Sequence, residues 1–99
     1  MEYKFNKDGE KLSVEVVGRV DTTTAPQLEE GILGELESVK NLVLDFTNLE
    51  YISSAGLRLL LLLQKKMNAS DGVFEIHNVN EFVMEVFEMT GFKDILTIK

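Results

Sequence analysis

Ser53 and Ser54 are the residues of this sequence best placed to do chemistry. They stand in the run Ile52-Ser-Ser-Ala-Gly-Leu57, directly ahead of Arg58-Leu-Leu-Leu-Leu-Leu-Gln-Lys-Lys-Met67. From Ala55 through Met67 there is no proline and no β-branched residue, so nothing in the interior opposes a helix. A serine at a helix start has two uses. Its oxygen can cap a free amide of the first turn. Its hydroxyl can also carry a phosphoryl group, which the free amides and the positive end of the helix dipole would favour. On spacing alone, capping is the commoner use.

Other chemistries find no footing. The chain has one histidine and no cysteine, so it offers no thiolate metal site and no disulfide. His77, Ser54 and Asp45 show no spacing that would make a catalytic triad, and there is no Gly-x-Ser-x-Gly elbow. There is no phosphate loop and no Gly-x-Gly-x-x-Gly. Asp8, Asp21, Asp45, Asp71 and Asp94 are scattered without the spacing of a calcium loop. No enzyme, cofactor or metal site is expected.

The elements that must position the serines follow from the pattern. Tyr3 and Phe5, then Leu12, Val14 and Val16, alternate with polar residues around Asp8-Gly9, which predicts a hairpin with a type I′ turn. Gly18 marks a bulge or bend. A helix begins after Asp21-Thr-Thr-Thr24, with Thr24 and Gln27 at capping-box spacing and Pro26 in the first turn. Leu28, Ile32, Leu33 and Leu36 make its inner face. Gly31 and Gly34 weaken it unless they allow a close approach to a neighbour.

Leu42 to Phe46 reads as a strand buried on both faces. Leu49, Tyr51 and Ile52 then alternate and lead the chain back toward the core. The leucine-rich helix from Ser54 is apolar over more than one stripe. It is either covered on several sides or presents an apolar patch to a partner. Val73 to Ile76 form a further strand with His77 at its end. Asn78 or Asn80 caps a last helix carrying Phe82, Val83, Val86 and Phe87. Gly91 stops it, with Phe92 packing back, and residues 94–99 make a short final strand. The fold class is α/β: one domain over residues 1–99, a mixed central sheet made of the N-terminal hairpin plus parallel strands, covered by helices.

Ten Lys and Arg against 17 Asp and Glu leave a formal charge of −7. That argues against nucleic acid and against anionic lipid surfaces. The N-terminus lacks the apolar segment of a signal peptide, and the Leu59–Leu63 run is too short to span a bilayer. A cytoplasmic location is expected.

The run from Asp45 to Leu60, Asp-Phe-Thr-Asn-Leu-Glu-Tyr-Ile-Ser-Ser-Ala-Gly-Leu-Arg-Leu-Leu, resembles the signature of the STAS family, the bacterial anti-sigma-factor antagonists. The Gly18-Arg-Val-Asp21 turn and the Phe82-to-Phe92 segment resemble the family too, so the likeness covers essentially the whole chain. It implies a partner switch. The antagonist binds an anti-sigma factor that is itself a serine kinase and frees a sigma factor. Phosphorylation breaks the complex, and a PP2C-type phosphatase restores it.

Aligned on Gly56, the family's phosphoacceptor falls at Ser54. The family's common aspartate before it is Ser53 here, which makes Ser53 the alternative acceptor, and Ala55 cannot accept phosphate. The likeness also implies partner contacts from Asp21, Thr22 and Thr23, from Asp45, Thr47 and Asn48, and from Ser53, Ala55, Gly56, Leu57 and Arg58. For Leu57 the competing role is core packing; for Arg58 it is a solvated surface charge. The alternative function is a STAS scaffold without phosphorylation, or a nucleotide- or lipid-binding module in a larger complex.

Overall fold

The computed structural model describes all residues from Met1 to Lys99. β1 (Glu2–Asp8) and β2 (Lys11–Val20) form the expected hairpin, antiparallel from Glu2↔Val17 to Asp8↔Lys11. The two loop residues are Gly9 and Glu10, and of these only Gly9 has positive φ, at 61°. Glycine in the first loop position is the pattern of a type II′ turn, not the type I′ turn expected with Asp8 in the loop.

The chain continues through α1 (Ala25–Leu33), β3 (Asn41–Asp45), β4 (Leu49–Ile52), α2 (Ser54–Ala69), β5 (Val73–His77) and α3 (Glu81–Thr90). The sheet order is β1-β2-β3-β5, with β4 also paired to β2. β2 is ten residues long and serves two partners on one edge. Its first half pairs in parallel with β3 (Leu12↔Leu42, Val14↔Leu44) and its last residues with β4 (Val20↔Ile52). Register shifts between Gly18 and Arg19, with Gly18 at φ 96°. This is the expected bulge, and it re-aims the end of β2 onto β4. That Leu49–Ile52 forms a parallel strand of its own is an addition to the expected order.

Alternation along the strands sorts the sheet into two faces. Leu12, Val14, Val16, Leu42, Leu44, Phe74 and Ile76 point into one core of 23 residues. That core also holds Ala25, Leu28 and Ile32 of α1, Leu57, Leu60 and Leu63 of α2, and Val83 and Phe87 of α3. All three helices therefore cover the same face. The opposite face carries Glu15, Asp45, Glu75 and His77 and stays open. Val43 alone is buried there, screened by its strand neighbours Ser13 and Glu75. β3 was expected to be covered on both faces. Its continuous apolar run reflects a central position in the sheet and not a second helical layer.

Other boundaries moved. α1 stops at Leu33, and Leu36 packs against the core from the following turn. Gly31 lies under Tyr3: a Cβ there would come within 2.7 Å of the Tyr3 hydroxyl, so the missing side chain lets α1 approach β1. Residues 94–99 are not a strand. Phe92–Asp94 form a 3-10 turn after Gly91 (φ 80°), Leu96 is buried, and a single bridge joins Ile98 to Ile76.

Asn80, not Asn78, caps α3. Its Oδ1 accepts from Val83 N at 2.8 Å, while its Nδ2 donates to the Leu49 carbonyl at 2.7 Å. One side chain thus fixes the start of α3 and ties it to β4. Asn80→Ala removes the cap and leaves the carbonyl of buried Leu49 without that donor. The expected cost is about 1–3 kcal/mol, read from the urea midpoint at unchanged m-value.

Candidate functional site

None of the 25 buried residues is polar or charged. Any binding chemistry must therefore sit on the surface, and the natural place is where parallel strands end and helices begin. β2 and β4 end side by side. Ser53 N donates to the Val20 carbonyl at 2.8 Å, joining the knuckle before α2 to the end of β2. The segment between β2 and α1 and the first turn of α2 are thereby brought together.

The two serines have separate roles. Ser53 is the N-cap of α2, in extended backbone at φ −94° and ψ 178°, and its Oγ accepts from Gly56 N at 3.5 Å. Its carbonyl accepts from Leu57 N at 2.9 Å. Ser54 is the first helical residue, exposed, and its hydroxyl makes no hydrogen bond. The Ser54 and Ala55 amides have no acceptor either. The first turn of α2 contains no acidic residue, so the positive end of a 16-residue helix is not offset by any side chain there.

Gly56 and Leu57 face inward. A Cβ on Gly56 would lie 2.5 Å from Ile52 Cγ1 and 3.0 Å from Val20 Cγ1. The glycine therefore lets α2 enter tightly over β2 and β4, and the close approach is intramolecular rather than to a partner's backbone. Leu57 is 7% exposed and belongs to the core. Neither offers a surface to a partner in this conformation, which corrects the contact role that the resemblance implied for both.

Arg58 is exposed and has no carboxylate within ion-pair distance. With Ala55, Leu59 and Leu62 of α2 and Thr22, Ala25, Pro26 and Glu29 across from them, it lines an open groove of about 300 Å³. Thr22 and Thr23 are exposed beside it. Asp21 holds their loop. Its Oδ1 accepts from Thr23 N at 2.9 Å and Thr24 N at 3.0 Å, and those two amides, Thr24 first, keep its carboxyl below the usual range. The expected capping box is absent. Thr24 Oγ1 donates to the Arg19 carbonyl and accepts from Asp21 N, each at 2.9 Å. Asp21 takes the Thr24 amide that the Gln27 side chain would have taken in a capping box, and the Thr24 hydroxyl is turned away from the Gln27 amide to the Arg19 carbonyl.

Asp45, Thr47 and Asn48 are not part of this cluster. They occupy the turn between β3 and β4, separated from Ser53 by the length of β4, about 13 Å for four residues. The Asp45 Oδ1 accepts from the Thr47 hydroxyl at 2.6 Å, Thr47 N at 3.0 Å and Asn78 Nδ2 at 3.1 Å. Partial burial pushes this carboxyl up, but the Thr47 hydroxyl and the Asn78 amide outweigh it and hold it below 3.8. Its contribution to stability is therefore complete above that ordinary value and is lost as pH falls through the lower folded value. The stability gap between the wild type and Asp45→Asn, measured in urea, is expected to shrink as the pH drops below 3.8.

His77 lies on the open face and bonds Glu75 at 3.0 Å, with Lys99 4.0 Å from the same carboxylate. The His77 bond is the main reason that the Glu75 carboxyl sits low. Two features escaped the sequence reading. The groove depends on how α1 packs beside α2, which no local pattern encodes. The stacking of Arg19 over the Tyr51 ring at 4.3 Å depends on the register set by the bulge.

Known proteins share this architecture and sequence. BtrV of Bordetella bronchiseptica is 37% identical over 82 residues, covering 82% of this chain and 71% of its own length. The anti-sigma-B factor antagonist of Bacillus subtilis is 28% identical over 87 residues, 88% of this chain and 80% of that one. The fold is that of the anti-sigma factor antagonist SpoIIAA in its unphosphorylated form, with a TM-score of 0.78 at 17% identity over 99% of this chain and 87% of that one. The Bacillus protein in its phosphorylated form gives 0.77 at 18% identity, over 99% and 91%. No helix is long and apolar enough to cross a membrane. Residues 3–99 match the sequence model of the STAS domain, and the chain belongs to that family.

Proposed function

We propose that this chain is an anti-sigma factor antagonist controlled by phosphorylation of Ser54. It is a binding regulator, not an enzyme. The observation that carries the switch is the division of labour at the knuckle. The Ser53 hydroxyl is committed to capping α2, whereas the Ser54 hydroxyl is exposed, unbonded and set at the positive end of the helix. The names of the relatives supply the partner class, and the two solved states of the SpoIIAA fold lend the modification precedent.

The unmodified protein binds an anti-sigma factor through the surface around Ser54, with Thr22, Thr23 and Arg58 at the groove rim, and so frees a sigma factor. A kinase activity of that partner transfers the γ-phosphoryl group of ATP to Ser54 Oγ; ADP leaves and the hydroxyl proton is lost. The new group carries about −1.5 to −2 charges. A contact surface shaped for a neutral hydroxyl cannot desolvate that charge without loss, so the complex dissociates. A PP2C-type phosphatase resets it. The setting is the cytoplasm, and the chain works as one domain over residues 1–99.

Intact-mass spectrometry after incubation with candidate anti-sigma kinases and ATP tests this reading. One phosphate on the wild type and on Ser53→Ala, absent from Ser54→Ala, is the expected result. Loss in Ser53→Ala alone moves the site by one residue. Stable binding with no phosphate on any variant overturns the switch in favour of a scaffold.

A further inference from the structure

We propose that Arg58 is the positioning residue for a phosphoryl group on Ser54, turning back along α2 to pair with it. This rests on the reading of Ser54 as the acceptor. Residues 54 and 58 stand at i and i+4 of a continuous helix, where neighbouring side chains meet at about 5–6 Å between Cβ atoms. Helical side chains lean toward the N-terminus, so the Arg58 guanidinium leans toward Ser54 and not away from it. Arg58 is exposed, and no carboxylate engages it.

The setting is also electrostatically one-sided. The first turn of α2 has no acidic residue and two amides without acceptors, and a cation one turn on adds to the same positive field. By contrast, α3 carries Glu81 in its first turn. An unmodified helix gains nothing from Arg58 near its N-terminus, since the dipole disfavours a cation there. A phosphoserine reverses that balance. It receives the two free amides and a guanidinium able to form parallel N–H···O bonds.

The other charged groups around the knuckle act against the phosphate or are occupied. Glu29 of α1 lines the far side of the groove, Asp21 is held by the Thr23 and Thr24 amides, and Arg19 stacks on Tyr51. Arg58 is thus the free cation of this cluster. Its consequence is regulatory: pairing keeps the phosphoserine ordered against α2 in the dissociated protein and withdraws it from a phosphatase.

The test uses protein carrying phosphoserine installed at position 54 by genetic encoding, so that it does not depend on finding the kinase. Titration by phosphorus NMR reads the second ionisation of the phosphate, ordinarily near 6. The wild type is expected to titrate lower than Arg58→Gln by about half a unit or more, with Arg58→Lys between them. Lys65→Gln, three turns away and about 16 Å along the axis, should match the wild type. Phosphatase release should be several-fold faster from Arg58→Gln. Equal titration in wild type and Arg58→Gln overturns the pairing. Failure of every kinase to modify Ser54 overturns the acceptor reading instead, and the encoded phosphoserine still reports on Arg58.

Discussion

Ser54→Glu is expected to weaken binding to the anti-sigma partner by about a hundredfold, close to 3 kcal/mol, while leaving the fold intact. The two halves of this expectation have different causes. Ser54 is exposed and makes no hydrogen bond, so the protein loses no internal contact when it changes. A carboxylate in the first helical turn is favoured by the dipole, by about 0.3–1 kcal/mol. The melting temperature should therefore stay level or rise slightly. The loss is expected on association, when the new charge must give up its water inside the contact. Calorimetric titration against the partner, with thermal unfolding of the free protein alongside, separates the two. Affinity within threefold of wild type would remove the charge-based switch. Ser53→Ala supplies the contrast: it should bind normally but lose about 1 kcal/mol of stability, because its oxygen is the cap.

Leu60→Ala is expected to cost about 2–5 kcal/mol of folding free energy, against less than about 1 kcal/mol for Leu61→Ala. Both residues belong to the same leucine run, and the sequence does not tell them apart. Leu60 is 1% exposed and sits in the main core, as do Leu57, Leu59, Leu63 and Met67. Leu61 and Leu62 are only half-buried, and Leu62 lines the groove beside Arg58. Removing Leu60 leaves a cavity beneath α2 in the main core, which the surrounding residues close only in part. Chains of this size have on the order of 5–15 kcal/mol of stability in total, so that loss is a large share. Equilibrium urea unfolding of both variants reads the difference directly. Equal costs would mean that α2 is covered on all sides and presents no groove.

Some of this molecule is local physics and was legible in the sequence. The hairpin, the bulge at Gly18, the start of the leucine-rich helix at Ser54 and the left-handed stop at Gly91 each depend on a few adjacent residues. Turn chemistry, capping and backbone freedom act over that range. The STAS resemblance rests on the same local run from Asp45 to Leu60, because a strand, a knuckle and a helix must follow one another there.

The tertiary structure decided what depends on partners distant in sequence. Which asparagine caps α3 was settled by Asn80 also reaching the Leu49 carbonyl, 31 positions away. The capping box at Thr24 gave way to the turn built on Asp21, since both claim the Thr24 amide and Thr24 Oγ1 found the Arg19 carbonyl. The β3 run was read as doubly covered because apolar density reports burial but not the side from which it comes; all three helices lie on one face. Residues 94–99 read as a strand, yet the chain first turns through Phe92–Asp94 and meets the β5 edge only at its end, where Ile76 N donates to the Thr97 carbonyl and Lys99 N donates to the Ile76 carbonyl. At the site, sequence placed both serines at a helix start, and adjacency alone could not divide their roles. The division came from backbone geometry. Extended φ and ψ at residue 53 aim its oxygen at the Gly56 amide, and helical geometry at residue 54 turns its hydroxyl out to solvent, one turn from Arg58.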